Sequence, residues 1–89
     1  MALPDGVVCF VKADCPTCQM VQPVLRQLRA AVPFTVLTQD DLSFPAGVEP
    51  VDDTSLELSY HHGIEIVPTL MKVESGKVVE RLEGWDRAA

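Results

Sequence analysis

Cys15-Pro16-Thr17-Cys18 constrains this chain more than any other stretch. The two thiols follow directly on the apolar run Val7-Val8-Cys9-Phe10-Val11 and stand at the head of a helical pattern. A Cys in the first turn of a helix faces unpaired backbone N–H groups and the positive end of the helix dipole. Both favour thiolate over thiol, and the thiolate is the reactive form. A second Cys three residues on lies one turn away, within reach of a disulfide to the first. The expected chemistry is a dithiol that cycles between reduced and oxidised states.

The rest of the chain supplies an α/β frame. Val7 to Lys12 is short, mostly β-branched or aromatic, and bounded by Asp5-Gly6, which predicts a buried strand. Pro16 to Ala31 carries apolar residues at helical spacing, with Met20, Val24 and Leu28 expected in the core. Pro16 suits the first helical position, and Pro23 should kink the helix. Phe34 to Thr38 reads as a second strand, and residues 39–51 as a long loop with room for one turn of helix. Asp52 or Asp53 can cap a short helix running to His61, with Gly63 as its stop. Ile64 to Val73 is apolar and interrupted by Pro68. Glu74-Ser75-Gly76-Lys77 reads as a hairpin turn, with Val78 to Leu82 as the return strand. The order β-α-β-loop-α-β-β predicts a four-stranded mixed sheet flanked by helices, its first two strands parallel and its last two antiparallel.

Bulk properties narrow the class. A chain of 89 residues is expected to form one domain over 1–89, with 47% apolar residues to build a small core. Net charge is −6 and the 7 Lys and Arg are scattered, so no basic footprint for nucleic acid exists. No run reaches the length of a membrane span. The N-terminus Met1 to Gly6 has no positive n-region and no long apolar segment, which predicts a cytoplasmic protein. In a reducing compartment three cysteines point to redox or metal chemistry rather than a disulfide framework. One CxxC with the distant pair His61-His62 does not make a closed zinc pattern, so no metal is expected. Those histidines instead suit the end of the second helix. Cys9 is expected as a core thiol.

Four features together resemble the thioredoxin superfamily. They are the strand–Cys15-Pro16-Thr17-Cys18–helix order, Pro23 five residues past Cys18, the segment Gly63-Ile64-Glu65-Ile66-Val67-Pro68-Thr69-Leu70, and Ser75-Gly76-Lys77 leading to a strand that ends at Gly84. Phe10-Val11-Lys12-Ala13-Asp14 before the first Cys is closer to the glutaredoxin pattern. Pro68-Thr69-Leu70 and the hairpin are closer to thioredoxin. The chain departs from thioredoxin in carrying Asp14 where Trp is usual before the nucleophile, and Cys9 where a buried acid is usual. Thr17 stands where glutaredoxins commonly have Tyr. Their Gly-Gly-x-Asp glutathione pattern is only echoed by Gly84-Trp85-Asp86. The chain stops at Ala89 shortly after Gly84, so the family's final helix is expected to be largely missing and the sequence is expected to be a fragment or the front of a longer chain.

The resemblance implies roles. Cys15 is the nucleophile and Cys18 the more buried resolving thiol. Pro68 is cis beside the dithiol, leaving the Val67 backbone to pair with an extended substrate. Lys12 has two readings, a solvated strand-end lysine or a cation that favours the thiolate and contacts an anionic substrate. Asp14 opposes it, each Coulomb effect being about 1 kcal/mol or less in a solvent-like dielectric. Trp85 is expected to be a packing anchor.

The leading expectation is a thiol–disulfide oxidoreductase with no bound cofactor. Its partners would be a disulfide-bearing protein or small molecule and an upstream reductase. One alternative is a glutathione-linked, glutaredoxin-like enzyme. The other is a non-catalytic binding or redox-sensing module whose exposed sheet face is covered by a dimer mate or a missing domain.

Overall fold

The apolar run before the cysteines becomes the central strand, and its sequence shows why. In a computed structural model describing residues 3–84, β1 (Gly6–Val11) lies in the middle of a five-stranded sheet. Val8 and Phe10 point to one face, Cys9 and Val11 to the other, and all four are buried. A strand covered on both faces reads as a continuous apolar run rather than an alternating one.

The other strands are β2 (Phe34–Thr38), β3 (Val51–Asp52), β4 (Thr69–Glu74) and β5 (Lys77–Glu83), in the order β3-β2-β1-β4-β5. β2 runs parallel to β1, from Val7 opposite Phe34 to Val11 opposite Thr38. β4 is antiparallel to β1, and β5 antiparallel to β4 with a register shift at Lys72/Val73. The fold class is the expected mixed α/β sheet. The strand count is corrected from four to five, because β3, at the end of the long loop, adds two parallel pairings to β2. A two-residue strand leaves no periodicity to detect.

The first helical segment is two helices, α1 (Pro16–Met20) and α2 (Gln22–Ala31). Pro23 has no N–H for the Gln19 carbonyl. That carbonyl instead accepts from the Gln22 side chain at 3.2 Å. The break resets the buried face. Val21 and Leu25 are buried, Val24 and Leu28 are half-buried, and Met20 is 51% exposed, which corrects the expected core set.

No helical turn forms in the loop before β3. Its apolar residues Phe44 and Val48 enter the core on the α1/α2 side. Arg26 and Arg29 of α2 donate to the Ala46 and Val48 carbonyls at 3.5 and 3.3 Å, tying it down. The Phe44–Pro45 peptide is cis.

On the opposite face α3 (Glu57–His61) is shorter than expected and starts from Leu56 at φ 65°. Asp53 serves as the cap from a distance. Its carboxylate accepts from the Leu58 N–H and the Ser59 N–H, each at 2.9 Å, and from Ser59 Oγ at 2.6 Å. Asp52 is occupied by Thr54. The hairpin turn takes Ser75 and Gly76 at φ 52° and 77°, the two left-handed residues of a tight two-residue connection.

The α1/α2 layer leaves part of the β4–β5 face open. Val7, Leu28, Leu70 and Leu82 line a groove of about 220 Å³ there. Trp85, and with it the expected start of a terminal helix, lies outside the described residues. No helix among the described residues is long and apolar enough to cross a membrane.

Candidate active site

Because β1 and β2 are parallel, their C-terminal ends meet at one edge of the sheet, and the dithiol sits there. Cys15 occupies the N-cap of α1 with extended backbone, φ −154° and ψ 112°. Its Sγ accepts the Cys18 N–H at 3.3 Å, as an N-cap oxygen does in an ordinary helix. Pro16 follows at the first helical position. No disulfide joins the two sulfurs here.

Cys15 is half-buried, whereas Cys18 has no exposed surface. Burial pushes the Cys18 thiol up to about 12, and hydrogen bonding with Cys15 and the charges of Cys15 and Asp40 push the same way. A backbone hydrogen bond from Lys12 opposes them. Cys18 is thus held protonated beneath Cys15.

The third component arrives from the far side of the sheet. The Val67–Pro68 peptide is cis, as the resemblance implies. The Val67 carbonyl lies 3.7 Å from Cys15 Sγ, in line to accept the thiol proton. This loop is anchored at both ends. Thr69 Oγ1 donates to the Ile66 carbonyl, and the Gly84 N–H donates to the Pro68 carbonyl at 2.8 Å. The structure therefore brings Cys15, Cys18, Val67 and Pro68 together.

Lys12 is half-buried, and its charge acts on Asp40, whose carboxyl is held below the ordinary carboxylate range mainly by backbone hydrogen bonds, against a desolvation effect that raises it. Asp14 is exposed. Cys9 is the core thiol expected from sequence, raised to about 12 by burial and then by the neighbouring Cys18. Among the described residues no three His, Cys, Asp or Glu side chains form a metal-binding group. His61 and His62 end α3 as expected, but burial pushes His62 downward, so it serves there as a neutral ring.

Sequence reasoning missed Gln19 and Asp40. Gln19 Nε2 donates to the Ala13 carbonyl at 2.7 Å. Asp40 accepts from the Ala13 and Asp14 N–H groups at 2.7 and 3.0 Å. One signal was available for Asp40: it lies two residues past a strand parallel to β1, at the carboxyl edge where functional groups of such sheets collect.

A strand–CxxC–helix unit with a cis-proline loop against the first sulfur defines a thioredoxin-like arrangement. Comparisons agree with that class. The family model described as "TraF: F plasmid transfer operon protein" matches residues 4–80. A protein named Thioredoxin from Chlamydia muridarum (strain MoPn / Nigg) is 31% identical over 78 residues, covering 88% of this chain and 67% of that protein. The chain belongs to the thioredoxin superfamily.

Proposed function

We propose that the protein is a thiol–disulfide oxidoreductase working through Cys15 and Cys18. One observation carries this reading: Cys15 Sγ sits half-exposed over the Cys18 N–H with Cys18 sealed beneath it. The Cys15 thiolate attacks one sulfur of a substrate disulfide, forming a mixed disulfide and expelling the other sulfur as a thiolate. That thiolate takes up the proton Cys15 gave away. Cys18 then attacks Cys15 Sγ. The Cys15–Cys18 bond forms, the mixed disulfide breaks, and the Cys18 proton passes to the departing substrate sulfur. Two electrons move to the substrate, and an upstream reductase restores the dithiol.

The timing follows from the electrostatics. Once Cys15 is in a mixed disulfide, its negative charge no longer opposes ionisation of Cys18. Cys18 therefore becomes a better nucleophile when it is needed. Val67 and Pro68 would receive the backbone of an extended peptide flanking the substrate disulfide. A buried second thiol within reach of the first favours the dithiol route over a glutathione-linked one. The pair would work in a reducing compartment such as the cytoplasm.

Insulin reduction with dithiothreitol as the electron source tests this. Wild type should accelerate precipitation of the insulin B chain, and Cys15→Ser should not. Cys18→Ser should accumulate a mixed disulfide visible by mass spectrometry. Equal, background-level rates for wild type and Cys15→Ser would overturn the assignment.

A further inference from the structure

The peptide units just before the nucleophile are held by side chains from two other segments. Ala13 is gripped on both sides, its N–H donating to Asp40 Oδ1 at 2.7 Å and its carbonyl accepting from Gln19 Nε2 at 2.7 Å. The Asp14 N–H donates to the other oxygen of Asp40 at 3.0 Å. One carboxylate thus spans two consecutive peptides and links the end of β2 to the turn entering α1. Bonds from N–H groups to an ionised carboxylate are stronger and shorter than neutral ones. Asp40 is itself fixed, because the Gln39 N–H before it donates to the Val11 carbonyl at 2.9 Å.

We propose that Asp40 is a positioning residue for the dithiol, clamping the 13–14 peptides so that Cys15 stays over Cys18 and thereby setting how readily the Cys15–Cys18 disulfide is reduced. This rests on the redox reading above. One effect follows from the clamp. Fixing the backbone before Cys15 lowers the entropy lost when the disulfide closes, which favours the oxidised pair. The Lys12 charge favours ionisation of Asp40. Against the opposing effect of desolvation, the hydrogen bonds from the Ala13 and Asp14 N–H groups hold the Asp40 carboxyl below its ordinary range.

The test is redox equilibration of the full chain in glutathione buffers, with the disulfide fraction read by alkylation and mass spectrometry, for wild type, Asp40→Ala and Asp40→Asn. Asp40→Ala should make the disulfide about fivefold easier to reduce, about 20 mV for this two-electron couple. Asp40→Asn, which keeps one oxygen acceptor without the charge, should fall between. A melting curve is recorded beside each. If both variants equilibrate within twofold of wild type, whatever their melting temperatures, Asp40 is only a structural tie and the proposal is overturned. If wild type itself forms no Cys15–Cys18 disulfide in any buffer, the oxidoreductase reading fails instead.

Discussion

The dithiol end of the sheet and the β4–β5 hairpin are built by different means. At the dithiol end, β1, α1, the segment after β2 and the Val67–Pro68 loop all contribute hydrogen bonds within a few residues of Cys15. Behind it lies an apolar cluster that includes Cys18, Val21, Leu25 and Phe44. In the hairpin only β4 reaches the core, through Met71 and Val73. Every residue of β5 is exposed, and the strand is held by its pairing with β4. Its few outside ties are to backbone: Asp5 accepts from the Ser75 and Gly76 N–H groups, and Arg81 donates to the His62 and Gly63 carbonyls. The cysteine pair stands where several elements converge, because precise placement of a sulfur needs neighbours that are themselves fixed.

The sharpest way to break this comparison is a pair of truncations. Leu25→Ala, beneath the dithiol, should cost about 2–5 kcal/mol, because a fully buried side chain leaves a cavity. Leu82→Ala, 65% exposed on β5, should stay within about 0.5 kcal/mol. Urea unfolding measures both, and equal losses would erase the distinction.

Alkaline pH should act on the dithiol end alone. Cys9 and Cys18 are both raised from 9.0 to about 12 in the folded protein. A raised acid is stabilising in its protonated form, so this contribution is complete below pH 9 and lost as pH climbs from there towards 12. Reduced protein should therefore lose stability across that range. Protein oxidised at Cys15–Cys18 should lose less, since only Cys9 remains to ionise. Denaturant titrations of the two redox forms at pH 8 and pH 10.5 provide the check.

Smaller effects test how the hairpin side is held. Gly6 is at φ 111°, and a Cβ there would lie 2.7 Å from the Pro33 carbonyl oxygen, so Gly6→Ala should cost about 2 kcal/mol. Gly76, at φ 77° in open space, should cost only about 1 kcal/mol as Ala. Asp5→Ala should cost the least, about 0.5 kcal/mol, since water can replace an exposed acceptor. Thermal melts rank the three, and a larger loss at Asp5 than at Gly6 would show that side chains anchor the hairpin after all.

Much of this was legible in the residues. Val7 to Val11 had to be a covered strand, Pro16 had to open a helix, and Ser75-Gly76 had to turn a hairpin, because each follows from local sterics or short-range pattern. Misses occurred where one residue's environment is set by another far along the chain. Met20 has the spacing of a core residue, but the break at Val21 turns it outward. Asp40 sits in a stretch that reads as loop, and nothing near it in sequence shows that Ala13 and Asp14 lie against its carboxylate. Phe44 and Val48 read as loop residues, and only the folded loop carries them into the core.

By itself the sequence determined that two thiols would share one helical turn at the end of a buried strand, since a three-residue spacing after an apolar run and before Pro16 permits little else. The family resemblance implied, and the tertiary structure decided, which sulfur meets solvent and which is sealed. The tertiary structure also decided that the Val67 carbonyl and the Asp40 carboxylate would stand beside them. Desolvation and hydrogen bonding depend on distances between segments, and the order of residues along a chain does not contain those distances.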